Sequence, residues 1–133
     1  MFEKLKERLN NSYAPISNFN VAAALVTTDG KEYFGVNVED ASTRAGTCAE
    51  RAAIFSAITD GVKKGDIKEI NVLTSSDKIS TPCFVCRQMI SEVMDKDSII
   101  RCYSLNGESK EYTVEELCPE PFNEEDLQWK VDL

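Results

Sequence analysis

The sequence predicts an α/β fold, a three-layer sandwich in which a mixed sheet of about five strands carries helices on both faces. Three observations predict it. The apolar spacing alternates between helical and strand periods in the order α-β-β-α-β-α-β-β. Asp29-Gly30 and Asn106-Gly107 are hairpin signals between apolar runs. The 133 residues suit one compact domain, 1–133, with no internal repeat, linker or low-complexity tract.

Each element follows from local pattern. Phe2, Leu5 and Leu9 recur at helical spacing with charges between them, giving a helix over 2–12 that Tyr13-Ala14-Pro15 ends. Residues 19–27, rich in Val, Ala and Leu, read as a buried strand. Asp29-Gly30 turns the chain back through Tyr33, Phe34, Val36 and Val38. Small polar residues make 39–46 a loop. Ala49, Ala52, Ala53, Phe55, Ala57 and Ile58 then suit a buried helix over 47–60, stopping near Gly61.

Gly65 precedes a short strand at 70–73, and 75–81 is a polar loop. Pro82 is suited to the first turn of the next helix, 82–94. Strands at 98–103 and 112–114 flank Asn106-Gly107, and 114–117 forms one helical turn before Pro119. Helices 47–60 and 82–94 each follow a strand and a loop. Their N-termini are therefore expected on one edge of the sheet, where open α/β folds place their sites.

Composition narrows the function. Hydrophobic residues at 42% and charged residues at 29% are an ordinary globular mix, which argues against disorder. The formal charge of −8, with basic residues interleaved among acids, is unlike a surface built for a phosphate backbone, so no nucleic-acid partner is expected. No apolar run approaches the ~18 residues of a membrane span. The N-terminus alternates charge with Leu and lacks a leader's apolar core, so the expected location is cytoplasmic, with no membrane partner. Five cysteines in a reducing compartment point to metal or catalysis before disulfides. There is no histidine, so any zinc site must be rich in thiolate.

Two segments concentrate the chemistry: Thr47-Cys48-Ala49-Glu50-Arg51 and Pro82-Cys83-Phe84-Val85-Cys86-Arg87-Gln88, each opening a helix. A Cys-x-x-Cys at a helix start aims two sulfurs at one point, and the helix dipole favours thiolates there. Cys48, also at a helix start, supplies a third. Three protein ligands leave the fourth position on zinc for water, the mark of a catalytic site. Glu50, two residues from Cys48, is placed to move a proton. Cys-x-Glu followed by Pro-Cys-x-x-Cys matches the signature of zinc nucleobase deaminases.

With these motifs, Tyr13-Ala14-Pro15…Phe19-x-Val21 and Gly35-Val36-Asn37-Val38-Glu39, the chain closely resembles the homotetrameric cytidine deaminases from about Tyr13 to Asp126. The resemblance implies a cytidine deaminase-like fold and an enzyme of pyrimidine salvage. It would hydrolyse free cytidine and deoxycytidine to the uridines with one zinc per chain. It implies Cys48, Cys83 and Cys86 as zinc ligands, and Glu50 as the catalytic proton shuttle. The Ala49 backbone N–H would hold the pyrimidine O2, and Asn37 with Glu39 the ribose 3′-hydroxyl. Phe19 would lie beside the base, and Phe122 would stack on it from a neighbouring subunit of a homotetramer with shared sites. The sequence departs from the family at Ala22, Thr43 and Phe84.

Plainer readings stand beside these. Thr47-x-x-Glu50 is also a capping box. Cys-x-x-Cys alone is also a redox pair, which leaves Cys48 and Glu50 without a role. A structural zinc site would need Cys102 or Cys118, which read as small buried hydrophobes. Arg51 and Arg87 would by default be solvated helix charges, and Glu120 to Asp126 a solvated tail. Two rival functions follow: deamination of another cytosine nucleoside such as blasticidin S, and a non-catalytic zinc-stabilised module. Three thiolates around zinc leave the centre net negative, so Arg51 is expected to donate hydrogen bonds to the cluster sulfurs.

Overall fold

Residues 21–27, Val-Ala-Ala-Ala-Leu-Val-Thr, carry no charge and mostly small side chains, a composition suited to a strand covered on both faces. In the computed structural model, which describes residues 1–127, this is what they form. Along β1 (Val21–Thr27), Ala22 and Ala24 pack with Leu5 and Leu73 on one face. Ala23 and Leu25 join Ala53, Ile54 and Ala57 in the larger core on the other. Successive side chains of a strand point to opposite faces, so β1 serves two cores at once.

Around it stand α1 (Phe2–Leu9), β2 (Glu32–Val36), α2 (Ala49–Thr59), β3 (Ile67–Thr74), α3 (Phe84–Val93), β4 (Ile99–Tyr103), β5 (Ser109–Thr113), α4 (Val114–Leu117) and α5 (Glu124–Leu127). The sheet order is β2-β1-β3-β4-β5. β1 runs antiparallel to both neighbours, β3 pairs parallel with β4, and β5 returns antiparallel. Helix α1 lies on one face, and α2 and α3 lie on the other. This is the expected three-layer architecture with a five-stranded mixed sheet.

That topology positions the site. β2 and β3 both oppose β1, so they run in the same direction, and their C-terminal ends share one edge of the sheet. The loops leaving those ends begin α2 and α3. Gly35 allows α2 to lie close on β2, because a Cβ there would sit 2.5 Å from the Ala49 carbonyl oxygen. At Gly46 a Cβ would fall 2.0 Å from the Val38 carbonyl oxygen, so only glycine lets the loop close onto the end of β2.

Several boundaries differ from the sequence expectation. Helix α1 stops at Leu9, where the Asn11 and Ser12 N–H groups bond back to Arg8 and Leu9 in tighter turns. Val38 is not in the sheet but bridges Tyr13 and Thr47. Pro82 lies before α3, with Cys83 as the N-cap. Strand β3 begins at Ile67 and β5 at Ser109, both through polar residues. The acidic stretch near 124 forms a turn of helix, α5, in which Asn123 Oδ1 accepts from the Glu125 N–H. Residues 128–133 of the single-domain span lie outside the described residues.

Candidate active site

Cys48 is the N-cap of α2 and Cys83 the N-cap of α3, while Cys86 sits in the first turn of α3. The three sulfurs lie within 4.8 Å of one another, the only such cluster of possible metal ligands among the described residues. Cys48 and Cys83 Sγ are 3.8 Å apart. Two sulfurs each ~2.3 Å from a tetrahedral zinc are separated by ~3.8 Å, so the spacing fits that metal. The donor set fits it too. Three soft thiolates at helix N-termini match zinc, and among the described residues no fourth protein ligand closes the site. Cys102 lies in the core and Cys118 bonds the Arg87 carbonyl oxygen, so neither completes the cluster.

Electrostatics prepare the sulfurs. The Cys86 thiol donates toward Cys48 and Arg51 adds its charge, drawing Cys48 down to about 5. Cys86 is held correspondingly high. Burial, reinforced by the charge of Glu50, pushes Cys102 up to about 12, an inert thiol.

Arg51 is not a solvated charge. Its Nη2 donates to Cys48 Sγ at 3.6 Å, while its buried Nε has no partner. A guanidinium on the thiolate withdraws electron density from the ligand set. Arg51→Ala is therefore expected to lower activity or zinc retention by ~10–100-fold with the fold intact, and Arg51→Gln to be intermediate because it keeps a donor. Steady-state kinetics beside zinc analysis check this. Wild-type behaviour of Arg51→Ala would reject it.

Glu50 occupies the first turn of α2 and is only 5% exposed. From the protein groups alone, burial holds its carboxyl up at about 7, and the Cys48 charge adds to the shift. Such a group is suited to taking and giving a proton near neutrality. It is not a helix cap: Cys48 holds the N-cap position and Thr47 lies outside the helix, so the capping box is not formed here. A true capping box occurs at Thr113 and Glu116 of α4.

Beside the sulfurs is a cleft of about 280 Å³ lined by Ile16, Asn37, Glu39, Thr43, Cys48 and Arg51, among others. Its size is near the lower end for small-molecule sites. Asn37 Oδ1 accepts from the Val21 N–H at 2.9 Å and from the Ser12 hydroxyl, and Nδ2 donates to the Phe19 carbonyl oxygen at 2.8 Å. One Nδ2 hydrogen is left over. Glu39 Oε1 accepts from the Ile16 and Ser17 N–H groups at 3.0 Å each, and Oε2 from the Ser17 hydroxyl. These bonds, led by the hydroxyl's, keep its carboxylate below the usual range, so Glu39 enters the cleft ionised.

Ala49 N–H belongs to the first turn of α2, where backbone donors lack intrahelical partners. Phe19 is half-exposed on the segment that Asn37 ties down. Phe122, 54% exposed, does not line the cleft. Thr43 does line it, at a left-handed φ of 61°, in a loop organised by Asp40. Asp40 accepts from the N–H groups of Ser42, Ala45 and Gly46. Sequence reasoning passed over that role, although Asp-x-Ser carries the signal of a side-chain-capped turn. Phe84 is 77% exposed and covers the Arg87 guanidinium.

Comparisons with known proteins identify the family. The family model described as "Cytidine and deoxycytidylate deaminase zinc-binding region" matches residues 1–102, which include Cys48, Glu50, Cys83 and Cys86. A cytidine deaminase of Sporosarcina psychrophila is 35% identical over 127 residues, covering 96% of this chain and 92% of that one. A cytidine deaminase of Halalkalibacterium halodurans is 38% identical over 116 residues, covering 87% and 86%. The crystal structure of cytidine deaminase from Burkholderia pseudomallei superposes with a TM-score of 0.86 at 38% identity, covering 90% of this chain and 94% of that one. Matched in sequence over most of its length and in fold by a solved relative, the chain belongs to the cytidine and deoxycytidylate deaminase family.

Proposed function

We propose that the protein hydrolyses the C4 amino group of free cytidine and deoxycytidine, giving the uridines and ammonia, in pyrimidine salvage. The observation that carries this reading is the cluster of three sulfurs, with the buried Glu50 two residues from Cys48, beside a cleft that Cys48 lines together with Asn37 and Glu39. Cys48, Cys83 and Cys86 would hold one zinc. Bound there, zinc supplies a Lewis acid that lowers the pKa of water toward ~7.

The chain's own residues handle the protons and the substrate. Glu50 takes a proton from the attacking water and places it on N3 as C4 is attacked; it then takes the proton of the new C4 hydroxyl and gives it to the amine, so that C4=O forms as ammonia leaves. Ala49 N–H donates to the pyrimidine O2. Phe19 packs beside the base. Asn37, through its remaining Nδ2 hydrogen, and Glu39, through Oε2, bind the ribose 3′-hydroxyl. The net charge of −8 suits a free nucleoside better than a base in a polynucleotide. No helix among the described residues is long and apolar enough to cross a membrane, consistent with action in the cytoplasm.

The proposal extends to assembly: one domain over 1–133, working as a homotetramer whose sites are shared. Phe84, Val85 and Phe122 are large apolar side chains left exposed, as an oligomer face requires. Phe122 would stack on the base in a neighbour's cleft.

Uridine formation from cytidine tests the activity, and its absence in zinc-loaded protein would reject it. Sugar readout gives a sharper check. An ionised Glu39 only accepts, so a substrate without the 3′-hydroxyl leaves it short of a donor. Losing a donor to a charged acceptor costs ~1–3 kcal/mol, so 3′-deoxycytidine is expected to lose about 5- to 150-fold in kcat/KM while 2′-deoxycytidine is tolerated. Equal kcat/KM for cytidine and the 3′-deoxy analogue would remove Asn37 and Glu39 from the role.

A further inference from the structure

Helix α3 carries Cys86 and, directly after it, two residues whose side chains turn to the C-terminal segment. Gln88 Nε2 donates to the Phe122 carbonyl oxygen at 2.6 Å. Arg87 spreads its guanidinium over three acceptors: Nε to the Pro82 carbonyl oxygen at 2.8 Å, Nη1 to the Leu117 carbonyl oxygen at 3.1 Å, and Nη2 to Thr81 Oγ1 at 2.8 Å. The Phe84 ring lies 4.3 Å from that guanidinium. Cys118 Sγ donates back to the Arg87 carbonyl oxygen.

The chain between these anchors is stiff. In Cys118-Pro119-Glu120-Pro121-Phe122 two prolines have φ fixed by their rings, and Glu120 is held at a left-handed φ of 49°. With Leu117 and Phe122 both pinned by α3, the backbone of Phe122 has a set position while its ring remains exposed. Helix α3 thus fixes the backbone that presents Phe122, whose ring belongs to neither core cluster.

We propose that Gln88, assisted by Arg87, is a positioning residue: it sets the projection of Phe122 from the helix that also carries Cys86, tying the base-stacking ring to the metal-binding frame. The inference rests on the reading of Phe122 as the ring that stacks on the base. Gln88 acts on substrate through Phe122 and touches no reacting atom.

The test is a double-mutant cycle in zinc-loaded enzyme, read as KM against kcat for cytidine, with zinc content and circular dichroism measured for every variant. Gln88→Ala is expected to raise KM by about 3- to 10-fold, the worth of one hydrogen bond, with kcat and zinc content held. Gln88→Glu, near in shape but without the Nε2 donor, should raise KM at least as much. Phe122→Ala should raise KM further, and adding Gln88→Ala to it should change nothing more. Three results would overturn the proposal: unchanged KM in Gln88→Ala, effects of Gln88→Ala and Phe122→Ala that multiply, or loss of zinc in Gln88→Ala. Unchanged KM in Phe122→Ala would instead reject the stacking reading, and the inference with it.

Discussion

Glu50→Gln is expected to lower kcat for cytidine by about 10²–10⁴-fold while the protein keeps its fold and its zinc. The substitution preserves the side chain's volume in a position that is 5% exposed, so packing at the start of α2 is unchanged. It removes the group proposed to shuttle a proton between water, N3 and the leaving amine. Glu50 is not one of the three clustered sulfur ligands, so zinc is expected to stay in place. Initial rates of ammonia release, paired with elemental analysis of zinc, separate the two consequences. Activity within a few-fold of wild type would exclude Glu50 as the shuttle. Loss of zinc together with activity would make its role structural.

Cys83→Ala should be more drastic, because two sulfurs cannot replace three. Cys83 sits exposed at the N-cap of α3 and contributes nothing to either core. The fold of the sheet should therefore survive. Zinc occupancy should fall to a small fraction of one per chain, and uridine formation should fall to background. Equilibrium dialysis against zinc and turnover of cytidine give the two readings. Stoichiometric zinc with retained turnover would show that the cluster is not the metal centre. The same change at Cys102 should leave zinc content at wild-type level, since that thiol is buried in the core of the sheet.

Most of the frame was legible because the chain's periodicities are clean. The apolar run at β1, the Asp29-Gly30 turn and the alanine-rich α2 each carry a local signal that tertiary packing only reinforces. Strand β5 begins before the apolar pattern predicts because Ser109, Lys110 and Glu111 lie on an exposed edge, where no buried face imposes alternation. The start of β3 is hidden from the pattern for a related reason. Its Lys68 and Glu69 are polar, and Glu69 is held by the Arg101 guanidinium, an ion pair that only the register of β3 on β4 brings together. The three sulfurs could be read from motif spacing, since helix starts after parallel strands converge. The partners of Arg51, Arg87 and Gln88 could not. A guanidinium at a helix start has the same sequence signature whether it faces solvent, a thiolate or three backbone and hydroxyl acceptors.

Deamination is expected to depend on zinc at this one centre. The most direct measurement removes metal from the protein with a chelator and then titrates zinc back while following uridine formation from cytidine. Activity is predicted to be absent without zinc, to rise in proportion to added metal and to level off at one zinc per chain. Full turnover by metal-free protein, or no turnover at one zinc per chain, would contradict it.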